Sequence, residues 1–199
     1  FRTLKAASSF NRIVLKRCEH CAVVNRLYRR HQGWHQAGSE TAEKGGDTYP
    51  GTAMEEAAAA FGAAPRADAR KVVVFFTDGN PAPSGTNDFN DDLANSGVAG
   101  SKRLKDDGAT VYSIGIFEGA DPSKDEATTN NRFNAYMHAM SSNYPKATEW
   151  NKLGTRAENS DYYKAATDAD ELNSIFQEIS NEINSGHRLP DRDDRGMDQ

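Results

Sequence analysis

The clearest hydrophobic run in the chain is KVVVFF at 71–76, where β-branched and aromatic residues follow one another without alternation. That pattern predicts a strand covered on both faces, as in a parallel sheet. A second run, TVYSIGI at 110–116, follows Gly108, a residue suited to close a helix. DYYKA at 161–165 predicts a third, shorter strand. Between the runs the period changes to that of a helix. Thr52 and Glu55 have capping-box spacing ahead of a helix at 53–62. Ala94, Val98 and Leu104 share a face over 90–107, in a helix weakened by Gly97 and Gly100. Phe133, Met137 and Met140 are spaced for one buried helical face. In 169–184, Leu172, Ile175, Phe176, Ile179 and Ile183 form one apolar stripe, with Asp168 and Glu171 placed to cap it. Alternating strands and helices predict an α/β fold: an open, doubly wound, mostly parallel sheet with helices on both faces.

The flanks differ. Residues 1–44 are rich in arginine and carry both cysteines, and 185–199 mix aspartates with arginines and hold almost nothing apolar. The division expected is a basic, irregular segment at 1–44, the α/β domain at 45–184 and a tail at 185–199 without a packed core. The loss of periodicity in 15–44 and after Ser185 fits translation partly outside the native frame. The chain has 199 residues, 37% hydrophobic, with a net charge of −5. The negative charge argues against nucleic acid as partner. No apolar run approaches the ~20 residues of a membrane helix, and two cysteines exclude a disulfide-stapled scaffold. Cys18, Cys21, His31 and His35 have a zinc-like order, but only nine residues separate Cys21 from His31. A DNA-binding finger needs about twelve, so irregular sequence is the better reading.

Open α/β sheets bind ligands beyond the carboxyl ends of their strands. Thr77-Asp78-Gly79-Asn80 follows the first run and puts a carboxylate at the strand's mouth; Phe117-Glu118-Gly119 follows the second. Asp78 is therefore a candidate hard-cation ligand, or a cap on the loop. Asp88, Asp91 and Asp92 are read more cheaply as helix-start charges than as a cation site. The loop 117–130, with Asp121, Asp125 and Glu126, is either a solvated connection or a partner-binding edge. No P-loop, His-Glu-x-x-His or Gly-x-Ser-x-Gly occurs, so no catalytic constellation is visible and a non-enzymatic role is expected.

Four segments together, GGDTYPGTAMEEA at 45–57, KVVVFFTDGNPAPSG at 71–85, DDGATVYSIGI at 106–116 and SDYYKAATDADELNSIFQEI at 160–179, resemble a von Willebrand factor type A domain. The nearest flavour is that of bacterial cell-surface and pilus-adhesin proteins. The resemblance implies an extracellular adhesion module that meets a protein ligand, such as a host or matrix protein, through a metal-ion-dependent adhesion site holding Mg²⁺ or Mn²⁺. In the family that site combines an Asp-x-Ser-x-Ser motif after the first strand, a loop threonine and an aspartate after the fourth strand. Thr48 matches the threonine and Asp78 the aspartate, while Glu118 is placed to touch the ligand. No Asp-x-Ser-x-Ser precedes Thr48; Asp121-Pro122-Ser123 lies in another loop.

By the same resemblance the chain starts in the family's first helix, at 2–14, with the first strand missing upstream of Phe1. Two expectations follow. The cation is held at about millimolar strength or not at all, because Mg²⁺ dehydrates reluctantly. The 71–76 strand presents a bare edge, which makes the isolated chain poorly stable or poorly soluble. Alternatives are an intracellular scaffold of the same family and a magnesium-dependent enzyme using Asp78.

Overall fold

A computed structural model of the chain describes residues 12–14, 49–62, 71–83, 86 and 88–185. In order these form β1 (Arg12–Val14), α1 (Pro50–Gly62), β2 (Val72–Thr77), α2 (Asp91–Asp106), β3 (Thr110–Gly115), a 3-10 turn (Thr129–Asn131) that runs into α3 (Arg132–Met140), β4 (Tyr163–Ala165) and α4 (Ala169–Ser185). The sheet order is β1-β2-β3-β4. β2, β3 and β4 are parallel, and β1 joins β2 antiparallel. This is the α/β architecture that the pattern predicts.

The unbroken apolar run of β2 is explained by what covers it. Val73 and Phe75 point into a core shared with Met54 and Phe61 of α1, Leu104 of α2 and Tyr136 and Met140 of α3. Val72 and Val74 point the other way, where Tyr112 and Ile114 of β3 meet Ile175, Ile179 and Ile183 of α4. Each such side chain contributes roughly 2 kcal/mol by leaving water. The stripe of α4 is thus the cover of one face, and Asp168 caps it by accepting from the amides of Asp170 and Glu171 at 2.9 and 2.8 Å. Gly108 closes α2 with φ of +81°, its amide on the Lys105 carbonyl.

Four expectations change. α1 begins at Pro50 rather than at residue 53, so Thr52 lies inside the helix. Proline suits a first helical position, where its missing amide proton has no acceptor. Residues 12–14 form a strand rather than the end of a helix at 2–14; residues 2–11 lie outside the described residues. The outer edge of β2 is not bare, since Arg12, Ile13 and Val14 pair with Phe76, Phe75 and Val74. That removes the stated ground for poor solubility over the paired stretch. Finally, Gly97 and Gly100 do more than weaken α2. A Cβ on either would sit 2.7 Å from Pro50 or 2.6 Å from Met54, so the glycines let α1 and α2 approach closely.

The C-terminus of α3 is held by a half-buried ammonium. Lys105 Nζ donates to the carbonyls of Ala139, Ser141 and Tyr144 at 2.8, 3.0 and 3.1 Å. Burial pushes its pKa down to about 7, while three acceptors on one ammonium support the charged form.

Candidate functional site

Two loops leave the carboxyl edge of the sheet side by side, because Thr77 and Gly115 are register partners at the ends of β2 and β3. The first carries Asp78. Thr77 is buried, and its Oγ1 both donates to the Gly79 carbonyl at 2.9 Å and accepts from the Gly79 amide at 3.3 Å. One hydroxyl therefore bends the chain directly beyond the strand and leaves Asp78, half-buried, at the bend. The loop closes where the Asn90 amide donates to the Pro81 carbonyl at 2.8 Å. Asn90 then caps α2 by accepting from the Leu93 amide at 2.9 Å. Asp91 and Asp92 fill that helix's first turn, the favourable end of the dipole, in line with the cheaper of their two readings.

The second loop carries Glu118. Gly115 has no room for a side chain: a Cβ would lie 2.6 Å from the Phe117 ring and 3.1 Å from the Tyr163 hydroxyl. Phe117 instead folds back and stacks on Phe133 with ring centroids 3.9 Å apart. Glu118 is exposed in the turn that follows, beside Gly119 at φ +86°.

Behind Glu118 the loop is fixed by buried polar side chains. Asn134 Nδ2 donates to the Gly119 carbonyl at 3.1 Å, and its Oδ1 accepts from the Asp121 amide at 2.9 Å and from the Tyr163 hydroxyl at 2.7 Å. His138, one helical turn on, is fully buried. The Asn143 amide group donates to its Nδ1 at 3.0 Å, so the ring proton sits on Nε2 and is donated to the Pro122 carbonyl at 3.1 Å. Burial pushes the imidazole pKa down to about 4; the charge of Arg156 acts the same way and Asp125 opposes it. Further along, Asp125 accepts from the Tyr144 hydroxyl at 2.6 Å and from Arg156 at 3.0 Å. Those two donors hold its carboxyl below the usual range, and burial with the adjacent carboxylate raises the Tyr144 phenol to about 12. The 117–130 loop is thus pinned through its first half rather than merely solvated.

Of the three residues singled out for the site, Asp78 and Glu118 emerge at one edge from neighbouring strands, and Thr48 lies outside the described residues. Cys18, Cys21, His31 and His35 lie outside them too. Among the described residues no three His, Cys, Asp or Glu side chains gather as a metal cluster would. A divalent hard cation wants about six oxygens, with carboxylates among them. The described donors therefore do not by themselves fit a firmly held ion. Thr77, Asn134, His138 and Asn143 were not signalled by any motif. The available hint was the i, i+4 spacing of Asn134 and His138, which puts two polar groups on one face of a helix whose Met137 and Met140 are core.

Comparison with curated proteins and with solved structures returns no match. The model of one family does match, over residues 28–178, which is more than half of the chain and includes β2, β3, β4 and both edge loops. The chain belongs to the von Willebrand factor type A domain family.

Proposed function

We propose that this chain is a binding module whose protein partner docks on the carboxyl edge of the sheet, across the loops that carry Asp78 and Glu118. Domains of this family are in general protein-interaction and adhesion modules, and many bind Mg²⁺ or Mn²⁺ at that edge. The observation that carries the reading is the Asp78 turn: a carboxylate held at the mouth of β2 by the buried Thr77 hydroxyl, beside a loop fixed from behind. Preorganised loops lose little entropy on binding, which favours a recognition surface.

The finer reading places the module on a bacterial cell surface, with a protein ligand of host or matrix, in the manner of pilus adhesins. Thr48 and Asp78 would face a Mg²⁺ or Mn²⁺ bound at about millimolar strength or lost, since the Asp-x-Ser-x-Ser motif is missing from the sequence. We read the role as binding and not catalysis; an intracellular scaffold is the second reading, and a magnesium-dependent enzyme the third. No helix among the described residues is long and apolar enough to cross a membrane.

Calorimetric titration of Mn²⁺ into the protein and into Asp78→Ala tests the edge directly. A weak exothermic or endothermic signal that disappears in Asp78→Ala is expected. Identical heats from the two proteins would leave Asp78 without its role.

A further inference from the structure

We infer that Asn134 is the positioning residue of the binding edge: from inside the core it sets the place of the Glu118 turn. The inference rests on the reading of that edge as the docking surface. Asn134 is buried and every capacity of its side-chain amide is used. The Nδ2 group donates both to Gly119 and, at 3.0 Å, to Asn131 Oδ1, and Oδ1 accepts from Asp121 and Tyr163. Two of these four bonds reach the loop backbone, at the positions one and three residues beyond Glu118. The other two tie the same side chain to the start of α3 and to β4. A single amide therefore links the exposed turn to two elements of the core. No apolar residue could do this, because Gly119 presents an acceptor and Asp121 a donor, and only a side chain with both answers both.

The geometry distinguishes this role from ordinary core filling. Loss of a purely structural residue loosens the elements it packs between. Loss of a positioning residue loosens what it points at. Asn134→Leu keeps the number and branching of the heavy atoms and removes all four bonds, whereas Tyr163→Phe removes one bond to the same oxygen and leaves both loop contacts in place.

Hydrogen exchange on the full chain, with global stability followed by urea unfolding, tests the inference. In Asn134→Leu the amides of 118–124 are expected to exchange at least about tenfold faster once the global change is allowed for, with β3, α3 and β4 unaltered; Tyr163→Phe should leave the loop protected. A rise spread evenly over α3 and β4, or no rise in the loop, overturns the proposal. Should Asn134→Leu not fold, Asn134→Asp decides. It retains acceptors for Asp121 and Tyr163 but cannot donate to Gly119, so the Asp121 amide should stay protected while the turn before it loosens. Loss of protection over the whole molecule, or none in the turn, would count against the clamp. No ligand enters this measurement, so its failure leaves the binding reading intact. Conversely, identical Mn²⁺ heats from Asp78→Ala would remove that reading without touching the exchange result.

Discussion

The two loops at the carboxyl edge start one strand apart, yet they are held in different ways. Around Asp78 the bonds seen between described residues are short in sequence, a threonine hydroxyl two residues away and a backbone bond from Asn90 to Pro81, and Asp78 and Asn80 have further partners besides. The Glu118 loop is fixed from the core, through Asn134, His138 and the Asp125 pairing, by partners 13 to 31 residues distant in sequence. Local turns form early and reopen locally, whereas long-range ties share the stability of the elements that supply them. We expect this difference in sequence range to make the Asp78 half of the edge the more adaptable and the Glu118 half the more rigid, which Thr77→Val tests. In a binding module the rigid half would fix the direction of approach, and the adaptable half would close on what arrives.

The largest effect is expected at the buried amide that holds His138, one of the loop's three ties, in place. Asn143 donates to His138 and also accepts from the Tyr162 amide at 2.7 Å, while its backbone carbonyl receives the Ala157 amide. Asn143→Leu strands a buried imidazole nitrogen and a half-buried backbone N–H. Each orphan costs about 1–3 kcal/mol, so a loss of about 3–4 kcal/mol in urea unfolding is expected. A loss below about 1 kcal/mol would mean that water replaces the amide, and that the loop is not tied through this residue.

A smaller effect, with a definite sign, comes from His138 itself. Its folded pKa of about 4 lies below the usual value of 6.5, so the unfolded chain takes up this proton first. Stability contributed by the neutral ring is present above about pH 6.5 and falls as the pH drops toward 4. The gap corresponds to roughly 3 kcal/mol. The lowered carboxyls, Asp106, Asp121 and Asp125, act below that window, because their ordinary value is 3.8. Chemical denaturation at intervals between pH 7 and 4 should show the decline, and an NMR titration should find the His138 ring uncharged at pH 5.5. Arg156 and Asp125 are the charges that bear most on the ring, with Asp161 beyond them. A ring that titrates near 6.5 would break the contrast between the loops, since it would place His138 in water.

What could be read in advance follows from how far each signal travels along the chain. β2, β3 and α4 were legible because burial on both faces, or on one helical stripe, is written in consecutive residues. Asp78 was legible for the same reason: a strand end and a glycine place a carboxylate at the mouth of the sheet whatever surrounds it. α3 was legible only as a helix. Its Phe133, Met137 and Met140 were read as one buried face, but Phe133 is only half-buried, and Asn134, Ala135, Tyr136, His138 and Ala139 are buried beside the two methionines. The polar pair Asn134 and His138 has the spacing of a solvent face, and what it meets instead are the backbone groups of a loop whose path no local pattern encodes. Tyr136, on the same helix, shows the converse: its hydroxyl is buried with no hydrogen-bond partner among the described residues. Thr77 was passed over because threonine is an ordinary strand residue, and its second task appears only when the chain turns at Gly79.

That second task supplies the smallest expected effect and the sharpest check on the adaptable loop. Thr77→Val keeps the β-branched shape against the core and removes only the hydroxyl that bonds Gly79 twice. A loss of about 1 kcal/mol is expected, or roughly 2–4 °C in Tm for a domain of this size. The Gly79 amide should then exchange freely while the amides of Asp121 and Ser123, in the rigid loop, keep their protection. A much larger loss, or loosening that spreads to the Glu118 turn, would mean that the two halves of the edge act as one unit. In that case Asp78 would owe its position to the same core ties as its neighbour, and the division of labour between the loops would be wrong.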